Sequence, residues 1–247
     1  MFTPEDRERV RARLLERARE DDRVTGAAIT VSAAEGREDS WSDVDVYLGL
    51  AEDADMSMVM ADWTARLYDE LGALHHWDLP SGRAIYRVFL LPNCLQVDVA
   101  FAPESNFGAS GPAFRVVFGE PVEKPHAQPP SADDLAGPGW LVVLHARVAI
   151  ERGRAWQAVH WIDCVRDQTL ALASVRLGER ADHARGAHLL PREVTAPLEK
   201  TLVRSLDAGE LRRALGAATE AFLAEVRETD SGLATRLEPV LREARGA

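Results

Sequence analysis

The stretch Ser40-Trp-Ser-Asp-Val-Asp-Val-Tyr47 joins two acidic residues to the start of an apolar strand. Asp43 and Asp45 are two residues apart, and the period of a β-strand points such side chains to the same face. Two carboxylates at this spacing repel each other unless a cation lies between them. Mg²⁺ prefers oxygen ligands and is held by one or two carboxylates together with substrate phosphates. The stretch therefore predicts a Mg²⁺–nucleotide site at the start of a strand over residues 44–50.

A third carboxylate, Asp98, lies in a strand predicted over residues 95–101, whose large apolar residues all alternate onto the opposite face. An aspartate in so apolar a strand is costly without a partner. If the two strands are neighbours, Asp43, Asp45 and Asp98 converge on one metal site, where Asp98 is also placed to accept a proton from an attacking hydroxyl. An isolated Asp-x-Asp at a strand start is more often a turn or a cap. The third aspartate is what favours the metal.

The composition excludes several classes of protein. The 247 residues include 29 Lys and Arg and 40 Asp and Glu, for a net charge of −11. This acidity argues against a mainly electrostatic nucleic-acid binder and against adsorption to an anionic membrane. Cys94 and Cys164 are too few for a disulfide framework. With no apolar run of transmembrane length and no signal-peptide pattern, we expect a cytoplasmic protein.

Periodicity and turn residues predict an α+β fold followed by a helical bundle. In the first half we expect helices over residues 3–21 and 57–74 and strands over 27–32, 44–50, 84–91, 95–101 and 114–118. Residues 126–139 are rich in proline and glycine and are predicted to be a linker. Further helices are predicted near 140–152, 156–177, 193–206, 208–227 and 231–245. The predicted organisation is a domain over residues 1–125 with a small mixed sheet, the linker, and a bundle over 140–247.

The motifs resemble those of a known superfamily. Val31-Ser-Ala-Ala-Glu-Gly36, then Ser42-Asp-Val-Asp45, and the later Asp98 are similar to the nucleotidyltransferases that include DNA polymerase β and the aminoglycoside nucleotidyltransferases. Their pattern is Gly-Ser-x-Ala-Arg-Gly, a spacer, and Ser-Asp-x-Asp. The two-domain organisation also resembles the aminoglycoside and lincosamide enzymes. The resemblance implies a polymerase-β-like first domain that moves a nucleoside monophosphate, AMP from ATP, onto a hydroxyl of a small acceptor such as an aminoglycoside-like antibiotic.

The resemblance also implies roles for single residues. Asp43 and Asp45 would bind Mg²⁺, and Asp98 would complete the metal site and act as the base. Ser32 would contact the nucleotide phosphates at a helix N-terminus, and Ser42 belongs to the same motif. Related enzymes build their cleft across a dimer, so a homodimer is compatible with the resemblance.

Two departures from the family pattern affect its phosphate half. Val31 stands where the family has glycine, and Glu35 stands where it has arginine. Arg37, Arg83 and Arg87 are candidates to replace the missing cation. The departures keep an alternative open, a catalytically impaired or regulatory relative that binds nucleotide or a partner protein without transfer. A protein-modifying nucleotidyltransferase of the toxin–antitoxin type is a further alternative.

The second half offers candidate acceptor contacts. His160, Asp163 and Asp167 recur at i, i+3 and i+7 of the helix predicted over 156–177 and share a face. An acidic stripe suits a polycationic acceptor, whereas a solvated face or ion pairs with nearby arginines is the plain alternative. The spacing from Arg154 to His160 also fits a loose ribonuclease pattern that arises often by chance. Three tryptophans are candidates to flank the cleft, although such residues more often pack in a core or an interface: Trp41, Trp77 and Trp140.

Overall fold

The computed structural model describes residues 1–34, 36–109, 111, 113–126 and 128–244, and it divides into two compact units, Met1–Ala127 and Gln128–Ala247. The first unit contains α1 (Pro4–Glu20), β1 (Val24–Thr30), α2 (Val31–Ala34), β2 (Val44–Leu50), α3 (Met56–Leu71), β3 (His75–Ser81), β4 (Ala84–Leu90), β5 (Gln96–Pro103) and β6 (Phe114–Phe118). The second contains α4 (Ala132–Glu151), α5 (Ala155–Leu177), α6 (Arg192–Glu199), α7 (Ala208–Thr229) and α8 (Ser231–Ala244). The predicted combination of an α+β half and a helical half is confirmed.

The first unit is built on a six-stranded mixed sheet in the order β3-β4-β5-β2-β1-β6. β2 and β5 are parallel, and the other neighbouring strands are antiparallel. The sequence did not predict β3, because His75–Ser81 lacks a clear apolar alternation and contains Pro80. Proline in a sheet is found mainly on edge strands, which is where β3 lies.

The two faces of this sheet differ in their covering. Helices α1 and α3 pack on one face, where Leu14 and Trp63 join the apolar side chains of the strands in the larger core cluster. On the other face, Phe107 packs where β1 and β2 carry Gly26 and Gly49. A Cβ at either glycine would lie under 3 Å from the Phe107 ring, so only glycine lets the ring approach. We call this second face the open face, because neither α1 nor α3 covers it.

Helix α1 begins where the sequence predicts. The Thr3 hydroxyl accepts from the Asp6 amide, and the Asp6 carboxylate accepts from the Thr3 amide, forming a capping box. Pro4 occupies the first helical position, where its missing N–H costs nothing. Sequence and structure agree here because helix starts are specified by local contacts.

The second unit is a helical bundle whose first helix is longer than predicted. α4 begins at Ala132, within the residues 126–139 predicted as a linker, and Ser131 and Asp134 form its capping box. Pro138 lies inside the helix. Gly139 faces Phe222 of α7, whose ring leaves no room for a Cβ. The prolines and glycines of this stretch thus serve helix entry and helix packing, and the predicted linker is too long. α6 ends at Glu199, seven residues before the predicted end.

Within the described residues, no helix combines the length and the continuous apolar character that crossing a bilayer needs.

Candidate metal centre

Three carboxylates meet at the starts of the two parallel central strands. Asp45 lies in β2 directly beside Asp98 in β5, and Asp43 immediately precedes β2. Each of the three offers an oxygen, and these oxygens all lie within 4.8 Å of one another. Parallel pairing in register produces the cluster, because residues at the same level of neighbouring strands point to the same face. We call Asp43, Asp45 and Asp98 the triad.

The triad holds negative charges together in a partly buried place. Burial, followed by the charges of Asp43 and Asp98, raises the pKa of Asp45 to about 8. Burial also raises the pKa of Asp98 to about 6, against the hydrogen bond from Gln96 and with the help of the Asp43 charge. Among the residues that the structure describes, no arginine or lysine forms an ion pair with the triad. The electrostatics are those of a site that a cation would stabilise.

Gln96 is a member of this site that the sequence did not predict. Its side-chain amide donates to the two carboxylate oxygens of Asp98 at 3.0 and 3.2 Å, and it lies 3.5 Å from Oδ2 of Asp43. The signal was available, since Gln96 and Asp98 are two residues apart in one strand and therefore share a face. The amide is the hydrogen-bond donor that holds Asp98 beside Asp43.

Helix α1 holds the loop that leads into β2. Buried Arg7 donates from Nη1 to the backbone oxygens of Asp39 and Ser42, at 2.5 and 3.3 Å. Glu38 lies between Arg7 and the equally buried Arg11, and its carboxylate pairs with both guanidinium groups. The sequence showed these arginines only as part of a charged helix. The contacts fix the loop immediately before Asp43.

The predicted phosphate half of the site is less complete. The backbone of Ser32 lies in the four-residue helix α2, but its side chain and all of Glu35 fall outside the described residues. Ser42 is engaged locally, because its hydroxyl donates to the Asp39 carboxylate at 3.1 Å and accepts from the Asp39 amide at 3.0 Å. Arg37 has an exposed side chain. The nucleotide-binding roles of Ser32, Ser42 and Arg37 stay predictions.

Arg83 does not lie beside the triad. Its guanidinium donates to the Ser105 hydroxyl at 2.9 Å and lies 3.9 Å from the Glu52 carboxylate. β4 runs antiparallel to β5, with Ile85 opposite Phe101, so the chain before β4 meets the far end of β5. Residue 83 is therefore level with residue 103 of β5, which is five residues, or about 17 Å, from Asp98. The structure therefore places Arg83 away from the triad, and its role in binding the nucleotide stays a prediction.

A lysine and two tyrosines also lie on the open face. Lys124 Nζ stands 5.6 Å from the centroid of the Tyr47 ring, and burial lowers the pKa of Lys124. Burial, and secondarily Tyr86, raises the pKa of Tyr47 to about 12. Burial and the charges of Asp45 and Asp98 raise the pKa of Tyr86. The sequence did not predict this group, because the fold places Lys124 there from a segment without regular structure.

The acceptor contacts predicted in the second half lie on α5. His160 is exposed, with Nε2 3.7 Å from the Cys164 sulfur. Asp163 accepts from Arg166 at 2.5 Å, so part of the acidic stripe is neutralised within its own helix. Asp167 is exposed. These contacts neither support nor exclude an acceptor, and the role of the three residues stays a prediction.

Comparison with known proteins shows a distant similarity to solved structures. No protein-family model and no curated protein matches the chain. Among solved structures, the chain is similar to an aminoglycoside 6-adenyltransferase from Bacillus subtilis, with 12% identity and a TM-score of 0.42 over the full length of both chains. The activity of this chain is inferred from the geometry of the triad.

Proposed function

We propose that the first unit is a Mg²⁺-dependent nucleotidyltransferase that moves AMP from ATP onto a hydroxyl of a small acceptor, such as an aminoglycoside-like molecule. The observation that carries the proposal is the triad, in which the register of β2 and β5 places Asp45 directly beside Asp98 and Asp43 adjoins both. Structural carboxylates are normally paired with cations, whereas groups with strongly raised pKa values cluster at functional sites.

The donor set of the triad fits Mg²⁺. It consists of oxygen ligands alone, all within 4.8 Å of one another, and a divalent cation would relieve the repulsion that raises the pKa of Asp45. Asp43, Asp45 and Asp98 would hold the ion. When bound, Mg²⁺ neutralises charge on the triphosphate and orients the reacting oxygens.

The residues present support an in-line displacement. The acceptor hydroxyl oxygen forms a bond to the α-phosphorus, the bond from that phosphorus to the oxygen shared with the β-phosphate breaks, and pyrophosphate leaves. Asp98 accepts the hydroxyl proton, because a general base works best when its pKa lies near the operating pH. The Gln96 amide orients the Asp98 carboxylate. Each group of the proposed step except the substrates lies within the first unit.

An acidic protein needs a cation for the triphosphate besides the metal. Glu35 stands where related enzymes have arginine, and Arg83 is remote from the triad. Lys124 is the cation that the described structure places on the open face, over Tyr47, and Arg37 precedes the loop into β2. We propose Lys124 and Arg37 as the candidate residues that bind the phosphate groups of ATP. The net charge of −11 favours a cationic acceptor.

Transfer is tested with ATP labelled at the α-phosphate, Mg²⁺ and a panel of hydroxylated small molecules that includes aminoglycosides. The expected result is a labelled acceptor with the added mass of AMP, lost with EDTA and in Asp45→Asn. Asp53→Asn is the matched control, since it removes an exposed carboxylate just after the same strand. Equal turnover in Asp45→Asn and the wild-type protein would overturn the proposal. Light scattering of the same samples measures whether the protein is a homodimer.

The regulatory alternative draws support from Val31 and Glu35. Calorimetric titration with Mg²⁺–ATP separates it from catalysis in part, because a protein that binds nucleotide without transfer gives heat but no product. Absence of binding at millimolar ATP points to a partner protein instead. A mass increase on a protein and not on a small molecule would select the protein-modifying alternative.

A further inference from the structure

An exposed apolar surface lies on the open face beside the triad. Trp77, Leu79 and Leu90 are 66%, 40% and 46% exposed, although each belongs to a strand. Val88 lies opposite Trp77 and is half-buried. We call Trp77, Leu79, Val88 and Leu90 the edge platform. Contiguous exposed apolar side chains of this kind usually mark a binding surface.

The register of the strands places the edge platform level with the triad. Trp77 in β3 pairs with Val88 in β4, and Val88 pairs with Asp98 in β5. Directly paired residues share a face, so the indole, the valine and the carboxylate follow one another across the open face. Two strand spacings separate Trp77 from Asp98, or about 10 Å. This length matches the reach of a small molecule with one end at the triad.

The opposite face of β3 holds the edge platform in place. His76 packs between Tyr68 and Phe89, and its Nδ1 lies 3.1 Å from the Tyr68 hydroxyl. Asp78 accepts two hydrogen bonds of 2.7 Å from Arg87. Because side chains alternate along a strand, these contacts hold the backbone on both sides of Trp77 and leave its side chain on the open face. The indole is exposed there on an anchored strand.

The space on the other side of the triad is already occupied. α2 packs against β1 and β2, and the loop held by Arg7 and Glu38 leads into Asp43. A molecule with its hydroxyl at Asp98 can therefore extend over the exposed surface of β4 and β3. Pro80 on the outer edge disfavours pairing with a further strand, which argues against a second copy as the occupant.

We propose that the edge platform binds a flat, apolar ring of the acceptor, stacked on Trp77, with the acceptor hydroxyl at Asp98. The inference rests on the proposed function and narrows its acceptor to molecules that carry such a ring next to a hydroxyl-bearing part. Aminoglycosides without an added ring, whose own rings are saturated and polar, would then be poorer acceptors than aryl glycosides. The charges of the triad attract the polar part of the acceptor, and the indole contributes area and a π-face. Cationic groups on the acceptor remain compatible, since they would face the acidic first unit.

Ligand-observed NMR on the full-length protein tests the platform without needing turnover. The probes are phenyl β-D-glucoside and, as the control that lacks the ring, methyl β-D-glucoside. The phenyl compound is expected to bind, with about tenfold weaker affinity in Trp77→Ala and near wild-type affinity in Trp77→Phe. Trp156→Ala is the matched control, because Trp156 is 76% exposed in the second unit. Equal affinity in Trp77→Ala, or equal binding of the two glucosides, would overturn the proposal.

Mn²⁺ in place of Mg²⁺ separates this proposal from the proposed function. Broadening of the phenyl signals by Mn²⁺, lost in Asp45→Asn, supports both the ring site and the metal site. Trp77-dependent binding without broadening keeps the ring site and counts against the metal at the triad. Transfer activity that is insensitive to Trp77→Ala for every ring-bearing acceptor counts against the platform alone. A wild-type dimer that becomes monomeric in Trp77→Ala would show that the platform is a subunit interface, and would overturn the proposal.

Discussion

Two regions of the first unit hold largely buried carboxylates in opposite electrostatic states. At the end of α1, Asp21 is 7% exposed and accepts hydrogen bonds from Arg23 and from the Trp63 indole at 2.8–3.0 Å. Hydrogen bonds from Arg23 lower the pKa of Asp21 to about 2. At the starts of β2 and β5, burial and the charges of Asp43 and Asp98 raise the pKa of Asp45 to about 8.

The difference shows what each region does for the protein. Asp21 and, beside α1, Glu38 each have arginine partners, so their charges stabilise the fold once it forms. The triad has no such partner among the described residues and costs stability while it is free of cations. Sites that violate the ordinary rules of stability are where function is expected. Substitution should therefore have opposite consequences in the two regions.

The largest expected effect is on activity at the triad. Asp45→Asn should lower nucleotidyl transfer about a thousandfold, since stabilisation of transition-state charge by a metal contributes several kcal/mol. The same variant should unfold at a higher temperature than the wild-type protein in EDTA at pH 8, because it removes one of the repelling charges. Turnover per folded molecule measures the effect on activity, and the thermal unfolding temperature measures the effect on stability. A variant that is both inactive and less stable would show that Asp45 stabilises the fold, contrary to the contrast drawn between the triad and the arginine-paired carboxylates.

The next effect concerns Glu38, whose carboxylate pairs with buried Arg7 and Arg11. Glu38→Ala leaves two guanidinium groups without their shared partner and should lower the free energy of unfolding by about 3 kcal/mol. Glu70→Ala is the control, since Glu70 pairs with Arg13 at the surface, where such pairs contribute under about 1 kcal/mol. Urea unfolding measures both. If both variants lost the same free energy of unfolding, the buried pairs of Arg7 and Arg11 would be no more stabilising than a surface ion pair.

Asp21 provides a pH-dependent test of the same region. Asp21→Asn should lower the free energy of unfolding at pH 7 by about 2 kcal/mol, because charged hydrogen bonds to Arg23 are lost. The folded pKa lies below the unfolded value, so the wild-type advantage is present above pH 4 and disappears as the pH falls towards 2. Asp22→Asn, which removes the exposed neighbour, should have little effect. A constant difference from pH 7 to pH 2 would contradict the assignment.

The triad should give the reverse pH dependence, with a smaller amplitude. The folded pKa values of Asp98 and Asp45, about 6 and 8, lie above the unfolded value, so the folded state binds more protons in this range. Stability of the metal-free protein should fall by about 1–2 kcal/mol as the pH rises from 7 to 9. Mg²⁺ should offset the loss, more at pH 8 than at pH 6. The difference between wild-type and Asp45→Asn melting temperatures isolates the effect, and a flat difference would contradict it.

Much of this site could be predicted from the sequence because its signals are local. The spacing of Asp43 and Asp45 at a strand start and the apolar alternation around Asp98 each place a carboxylate on a face. The strand over 44–50 has the predicted bounds. The structure adds the pairing of β2 with β5, which no periodicity specifies, since register between distant strands depends on the whole sheet.

The residues that sequence analysis missed or misplaced are those whose position depends on tertiary contacts. Trp77 was a candidate to flank the cleft, but its strand was not predicted, because an edge strand needs little apolar alternation and β3 contains a proline. Arg7 and Arg11 look like surface charges until Glu38 is brought to them. Charge and spacing along the chain therefore identify candidate site residues better than they identify which residues contact each other in the folded protein.

Arg83 gives the smallest expected effect and tests that distinction directly. Arg83→Ala should leave the KM for ATP within about twofold, because the antiparallel register of β4 and β5 places residue 83 about 17 Å from Asp98. Lys124→Ala, on the open face, should raise the same KM by about tenfold, as loss of one charge-assisted contact to phosphate would. Steady-state kinetics of both variants provide the comparison. The reverse ranking would mean that the triphosphate extends along β5 towards Arg83, and the phosphate half of the site would then lie at the opposite end of the sheet from α2.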